Sequence, residues 1–224
     1  MKIPTYKFEK GLWAKGCELI AGVDEVGRGA WAGPLLAAAV ILPKNKQLKL
    51  LRDSKLLLSH QRERLVKKIK KEALAYAYGI VSVEEINAQK NIYKTNTLAL
   101  TRALENLFKL VQPEVQKLVQ PEGIPWLDQL GTHVLLDGRK IQFFPYDYTA
   151  IVKGDAKCVS IAAASILAKV ERDRIMKELE KEYPDYQLGK HKGYGTKLHQ
   201  ELLEQFGPSS IHRLHYKPFN PKLF

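Results

Sequence analysis

Four acidic residues stand where a soluble chain seldom leaves bare charge. Asp24 and Glu25 follow the apolar run Leu19-Ile20-Ala21-Gly22-Val23 and precede Gly27-Arg28-Gly29. Asp137 follows His133-Val134-Leu135-Leu136 and precedes Gly138, and Asp155 follows Lys153-Gly154 just before a long Ala-rich stretch. Charges rarely enter such strands unless they are paired or metal-bound. Each also has an ordinary explanation: two solvated acids at a strand end, a turn Asp before a Gly, a helix cap or first-turn acid. Together they form a hard oxygen donor set, the kind that holds Mg²⁺ or Mn²⁺ with help from substrate phosphates. Two such ions about 3.5–4 Å apart can activate a water and stabilise the leaving oxygen in phosphodiester cleavage. Successive strand side chains point to opposite faces. Asp24 and Glu25 can therefore share one ion only if the strand ends or bends there, or if one of them uses its backbone carbonyl.

Other residues suit a polyanion. Gly27-Arg28-Gly29 offers backbone that can approach a ligand closely, with N–H groups for a phosphate or sugar hydroxyl and Arg28 for a phosphate; a plain tight turn is the alternative. The full glycine spacing of a dinucleotide fingerprint is missing. His191-Lys192-Gly193-Tyr194-Gly195-Thr196 puts cations and a ring on one loop, able to stack on a sugar or base while Lys meets phosphate, or simply to pack its Tyr. From 44 to 72, eleven Lys or Arg stand against Asp53, Glu63 and Glu72, so most of the chain's net charge of +12 lies there. This local excess favours a phosphate-tracking surface over a merely solvated helix face. No run reaches the roughly 18 apolar residues of a membrane span, and Met1–Lys10 lacks the apolar core of a signal peptide. Cys17 and Cys158 are too few for a disulfide framework or a Cys-based zinc site, which fits a reducing, cytoplasmic setting.

The elements that must position these residues follow from pattern. Leu19–Val26 and Leu35–Leu42 read as neighbouring strands, antiparallel across the Gly-rich connection. Ser59–Ala73 reads as a helix with Ser59 at its N-cap and Leu65, Val66 and Ile69 as its apolar stripe. Tyr76–Val83 is a third strand and Ile92–Leu110 a helix. His133–Leu136 is a short buried strand, and Gln142–Ile151 another, interrupted by Pro145. Val159–Tyr183 is a long helix stopped by Pro184, and Lys197–Phe206 a last helix ending at Gly207. The run Lys109–Glu114 recurs as Lys117–Glu122, a pair too short for a solenoid and best placed in a surface insertion, where Pro113, Pro121 and Pro125 oppose a continuous helix. Strands followed by alternating strands and helices imply an α/β domain: a mixed sheet flanked by helices. At 224 residues the chain fits one large domain with a small C-terminal appendage.

Gly22-Val23-Asp24-Glu25-Val26-Gly27-Arg28-Gly29 with Gly33-Pro34 resembles the signature of the ribonuclease HII family. Asp53-Ser54-Lys55, Leu136-Asp137-Gly138, Lys153-Gly154-Asp155-Ala156 with Ser160–Val170 and Arg172-Asp173, and Lys192-Gly193-Tyr194-Gly195-Thr196 are similar to its further blocks, in family order across about residues 20 to 200. The resemblance implies a ribonuclease H-like fold with a C-terminal helical part, here divided as 1–183 and 184–224. It implies endonucleolytic hydrolysis of RNA in RNA–DNA hybrids and at ribonucleotides embedded in duplex DNA, giving 3′-OH and 5′-phosphate ends, with Mg²⁺ or Mn²⁺ as cofactor. Asp24, Glu25, Asp137 and Asp155 would be the catalytic and metal-binding carboxylates. Gly27, Arg28 and Gly29 would contact the ribonucleotide 2′-OH region, and Tyr194 would stack at the RNA-to-DNA junction. The expected state is a monomer without membrane association, and a sliding clamp is a candidate partner for the tail. Trp31 after the turn and the length of 109–131 depart from the family's pattern. Another nuclease of this fold, such as a junction resolvase, and a catalytically silent nucleic-acid binder are the alternatives; intact acids weigh against silence.

Overall fold

The structure is a computed structural model that describes residues 3–44, 48, 58–116, 131–216 and 218–219, with only the backbone of 113–116. The Asp53-Ser54-Lys55 block, Lys46, Lys49, Arg52, the second repeat copy with Pro121 and Pro125, and Pro221 lie outside the described residues.

Five strands form one mixed sheet. They are β1 Ile20–Val26, β2 Leu35–Ile41, β3 Ala75–Val81, β4 His133–Asp137 and β5 Tyr148–Ile151, in the order β3-β2-β1-β4-β5. β1 pairs antiparallel with β2 and β2 with β3, while β4 runs parallel to both β1 and β5. The parallel pairing brings the C-terminal ends of β1 and β4 side by side, with Val23 opposite Leu136. Asp24 and Asp137, the next residues along, thereby come to one edge of the sheet.

The helices are α1 Lys7–Trp13, α2 Ser59–Glu72, α3 Val83–Gln89, α4 Ile92–Gln116, α5 Val159–Glu182, α6 Leu188–His191 and α7 Lys197–Phe206. Both faces of β2 are buried, and its residues alternate between two layers. Leu35, Ala37, Ala39 and Ile41 pack with Leu100, Ala103, Leu104 and Leu107 of α4. Leu36, Ala38 and Val40 pack with Val66 and Ile69 of α2 and with Ala163, Ile166 and Leu167 of α5. A strand covered on both sides reads as an unbroken apolar run, which Leu35–Ile41 does. The helices approach closest at glycines. A Cβ on Gly22 would sit 2.2 Å from the Ser160 backbone of α5, and one on Gly79 would sit 2.1 Å from the Ala99 carbonyl of α4.

Several boundaries differ from the sequence reading. Leu58, not Ser59, occupies the N-cap of α2, and its N–H donates to Gln61 Oε1 at 3.0 Å. β3 ends at Val81 because Ser82 caps α3: Ser82 Oγ accepts from the Glu85 N–H and Glu85 Oε2 from the Ser82 N–H. The Ser-x-x-Glu spacing was visible as a capping box. α4 continues through Pro113 to Gln116, although proline there removes one bond of the helix ladder. The strand expected from Gln142 shrinks to Tyr148–Ile151. Phe143 takes a positive φ of 58°, and the Tyr148 hydroxyl closes the preceding loop by donating to Ile141 O and accepting from its N–H. α1, also unanticipated, serves α5. Cys158 makes no side-chain cap there, and buried Glu9 accepts the Ser160 N–H at 2.8 Å instead, a carboxylate favoured by the helix dipole.

Candidate active site

Strand alternation separates the adjacent acids. Asp24 shares its face with Gly22, toward α5, and hydrogen-bonds the Ser165 side chain of that helix. Glu25 lies on the Val23 face, toward α4, where Asn96 hydrogen-bonds it. Asp24 Oδ1 also accepts the Glu25 N–H at 2.8 Å. Asp137 ends β4, and its Oδ1 accepts the Gly154 N–H at 2.5 Å. This bond ties β4 to the 3-10 turn Gly154–Ala156, which carries buried Asp155. All four acids thus come to one end of β1, β4 and β5. Burial, then the charges of Glu25 and Asp137, push the Asp24 carboxyl well above the usual range, against the Ser165 bond; Asp155 adds to the rise. Burial also raises Glu25, with Arg28 opposing and Asp137 adding. Among the described residues no three His, Cys, Asp or Glu side chains are gathered tightly enough to form a preassembled ligand set. The acids interact electrostatically across the sheet edge, although strand parity puts Asp24 and Glu25 on opposite faces.

Glu25 and Asp137 open onto a cleft of about 1260 Å³. Arg28, Lys94, Arg139 and Lys140 line it, with Asn96 and exposed Tyr93 and Phe143. Arg28 lies 5.1 Å from the Tyr93 ring centroid, within cation–π range. The sequence reading missed Lys94, Asn96, Arg139 and Lys140. Arg139 and Lys140 directly follow Asp137-Gly138, a signal that was available; Lys94 and Asn96 reach the cleft only because α4 lies across β1. On α2, Lys67, Lys68, Lys70 and Lys71 are exposed as expected, and Lys70 also sits 5.0 Å from the Tyr76 ring.

Tyr194 belongs to a turn bonded directly to the connection after β1. Trp31 N and Ala32 N both donate to Gly193 O, at 2.8 and 3.2 Å. A Cβ on Gly193 would meet Ala32 O at 2.3 Å, so glycine is required at this crossing. Trp31 packs against His199 and over Gly195, so the unfamiliar Trp forms the seat of the Tyr194 turn. The Tyr194 ring faces the Arg172 guanidinium at 5.4 Å and Lys169 Nζ at 6.0 Å. Ser165, Lys169 and Arg172 follow one another along a single face of α5. Tyr194 is thereby set about 10 Å along that helix from the Asp24 contact, at 1.5 Å per residue.

Three histidines anchor this turn from below. His199 Nδ1 lies 3.0 Å from Tyr194 O and must carry the proton, so its Nε2 accepts from His212 Nε2 at 3.2 Å. His212 Nδ1 then accepts the Ser209 N–H, while His191 Nε2 donates to Tyr186 O and its Nδ1 accepts the Gly193 N–H. One neutral tautomer per ring satisfies every bond. Burial pushes His199 and His212 down to about 4 from an ordinary 6.5. Above pH 6.5 both rings are neutral folded or unfolded, so their contribution is flat. As pH falls from 6.5 toward 4, the unfolded chain takes protons that the folded chain refuses, and stability drops. Asp24 and Glu25, raised in the fold, act with the opposite sign. The expected result is therefore a difference: the urea midpoint of His199→Gln/His212→Gln should fall less between pH 7 and pH 4.5 than that of the unaltered protein. Parallel pH profiles would sink the idea.

A sequence profile of the family described as Ribonuclease HII matches residues 21–219. A Ribonuclease HII of Caldanaerobacter subterraneus subsp. tengcongensis is 45% identical over 216 residues, covering 96% of this chain and 81% of that protein. The PCNA:RNase HII complex from Archaeoglobus fulgidus superposes with a TM-score of 0.66 at 25% identity, over 89% of this chain and 95% of the other. Bst-RNase HIII in complex with Mn²⁺ gives a TM-score of 0.70 at 18% identity, over 93% of this chain and 70% of that one, a likeness of fold alone.

Proposed function

We propose, from the premise that the chain belongs to the ribonuclease HII family and is an endoribonuclease of the ribonuclease H type, that it cuts at ribonucleotides embedded in duplex DNA as well as in longer RNA–DNA hybrids, with divalent-metal help, leaving 3′-OH and 5′-phosphate ends. The observation that carries this reading is the meeting of Asp24, Glu25, Asp137 and Asp155 at one sheet edge beside a cation-lined cleft. The donor chemistry suits a hard divalent cation: burial first, and neighbouring carboxylate charge second, raise Asp24 and Glu25, and a positive charge placed among these oxygens would stabilise their ionised forms. Mg²⁺ or Mn²⁺ held there would supply a water activated at neutral pH and charge stabilisation for the leaving oxygen.

The chain's own residues do the rest. Ser165 and Asn96 fix the orientation of Asp24 and Glu25. The cations of the cleft hold the phosphates on either side of the cut, and the exposed lysines of α2 extend the phosphate-tracking surface. The Gly27–Gly29 turn meets the ribose hydroxyl, and Tyr194 stacks at the junction. Residues 184–224 form the appendage that carries Tyr194. The enzyme acts as a cytoplasmic monomer, and a sliding clamp like the PCNA of the Archaeoglobus complex is its candidate partner.

The test is cleavage of labelled duplexes containing one ribonucleotide, a full RNA–DNA hybrid, or DNA alone, with Mg²⁺, with Mn²⁺ and with chelator. The two ribonucleotide-bearing substrates should be cut only with metal, to 3′ ends that a polymerase extends. Equal cutting of all-DNA duplex, or cutting in chelator, rejects the reading. Within it, Tyr194→Ala should lower kcat/KM on the single-ribonucleotide duplex by the roughly 1–3 kcal/mol of a lost stack, and Tyr194→Phe by only about 0.5–1.5 kcal/mol. If Tyr194→Ala weakens all-DNA binding by the same factor, the ring is a general contact.

A further inference from the structure

Two arginines, Arg172 on α5 and Arg213 in the C-terminal tail, are fully buried, yet among the described residues neither forms an ion pair. Most of their guanidinium N–H groups donate to backbone carbonyls, chiefly of the connection after β1, while Arg213 Nη2 reaches no carbonyl. Arg213 donates from Nε to Gly33 O at 2.9 Å and from Nη1 to Gly27 O at 2.6 Å and Arg28 O at 3.4 Å. Its own N–H meets Trp31 O at 2.7 Å. Arg172 donates to Pro34 O, to Ala32 O and, across to the Tyr194 turn, to Lys192 O. Gly27 has φ +87°, and a Cβ there would lie 2.1 Å from Arg172 Nε, so the turn and the arginine were fitted to each other.

This pattern has a consequence on the other side of the turn. In a trans peptide the C=O and N–H point in opposite directions. Turning the carbonyls of Gly27 and Arg28 inward onto Arg213 therefore turns the N–H groups of Arg28 and Gly29 outward. Both residues are exposed, and a Cβ on Gly29 would meet open space. A cation on the carbonyl side also strengthens the N–H donors of the same peptides.

We propose that Arg213, seconded by Arg172, is a positioning residue for ribonucleotide recognition: it holds the Gly27–Gly29 turn so that two adjacent outward N–H groups meet a ribose hydroxyl, and locks that turn to the Tyr194 turn. The inference rests on the reading of the Gly27–Gly29 turn as the ribonucleotide contact. It makes a segment about 185 residues distant in sequence part of the discrimination between ribose and deoxyribose. Lysine at 213 keeps a cation but cannot span Gly27 O and Gly33 O at once, because it lacks the planar fork.

The experiment uses the full chain and compares Arg213→Lys and Arg172→Lys with the unaltered protein. The measurements are kcat and KM on single-ribonucleotide duplex, Kd for all-DNA duplex at one salt concentration, and thermal midpoint. Arg213→Lys should lose about 10- to 100-fold in kcat/KM on the ribonucleotide duplex, the scale of a lost charge-assisted hydrogen bond, while all-DNA Kd stays within about twofold. Added methylguanidinium should restore part of the ribonucleotide activity to Arg213→Ala. A parallel loss on both duplexes overturns the proposal, as does unchanged ribonucleotide activity in Arg213→Lys. If Arg213 variants do not fold, Arg172→Lys decides by the same two readouts, since it frees the Ala32, Pro34 and Lys192 carbonyls of the same two turns. Failure of the unaltered protein to prefer ribonucleotide duplex would instead reject the reading of the turn itself.

Discussion

Asp24→Asn and Asp137→Asn are each expected to lose about a thousandfold or more in turnover, the rate equivalent of several kcal/mol of transition-state charge stabilisation. Asp24 carries the larger expectation. It is buried, is held by Ser165 and the Glu25 N–H, and feels the three other acids, so its charge is central to the group. Asparagine keeps nearly the same shape and can still accept from one of those donors, so the fold survives. Without divalent ion the variant should even melt higher than the unaltered protein, because one buried negative charge is removed from among others. Duplex affinity should change little, since on the proposed reading the phosphates are held by the cleft cations Arg28, Lys94, Arg139 and Lys140, which the substitution leaves in place. Asp137 differs in one respect. Its Oδ1 holds the Gly154 N–H, so Asp137→Asn should also loosen the turn bearing Asp155 unless the amide oxygen keeps that bond. Steady-state cleavage at saturating Mg²⁺ and Mn²⁺, beside melting in chelator, gives both numbers. Near-normal turnover in either variant removes that residue from the catalytic set.

Gly22→Ala should rank with Gly79→Ala among the most damaging single methyl groups at the described glycines. The new Cβ would lie 2.2 Å from Ser160 C and 2.4 Å from Ser160 O, and these are backbone atoms at the start of α5 that cannot rotate aside. The helix must lift from β1. Overpacking costs roughly 1–3 kcal/mol and sometimes more, and a backbone clash belongs at or beyond the upper end. For a chain of this size each kcal/mol lowers the melting midpoint by about 2–4 °C. Activity should fall as well, because α5 carries Ser165 to Asp24 and Arg172 to the turn. Gly29→Ala is the control: its Cβ meets nothing within 4 Å, so stability should hold while any loss appears on ribonucleotide substrate alone. Equal melting of Gly22→Ala and the unaltered protein would show that α5 can shift at no cost.

The residue types alone determined the chemistry on offer. Acids at the ends of apolar strands, a Gly-Arg-Gly turn, a Tyr on a glycine-flanked loop and a basic surplus are all local facts of the chain. The family was legible only as a resemblance of whole motif blocks; the mixed sheet and most elements were legible because the unbroken apolar run of β2 and the apolar stripes of α2 and α4 are local patterns. Local rules also failed locally: the capping box at Ser82 was readable but hidden behind a strand pattern, and Phe143 turned the chain where alternation suggested a strand. Whether the four acids meet was a different kind of question. Spacing of 24, 137 and 155 says nothing about distance; the parallel pairing of β1 with β4 and the bond from Gly154 to Asp137 decided it. That Asp24 and Glu25 serve opposite faces followed from strand parity, but which helix each would meet did not. Nor could any local pattern assign Arg172 and Arg213. A buried arginine looks in sequence like a surface one, and only folding brings carbonyls from residues 27 to 34 within reach of guanidinium groups far along the chain.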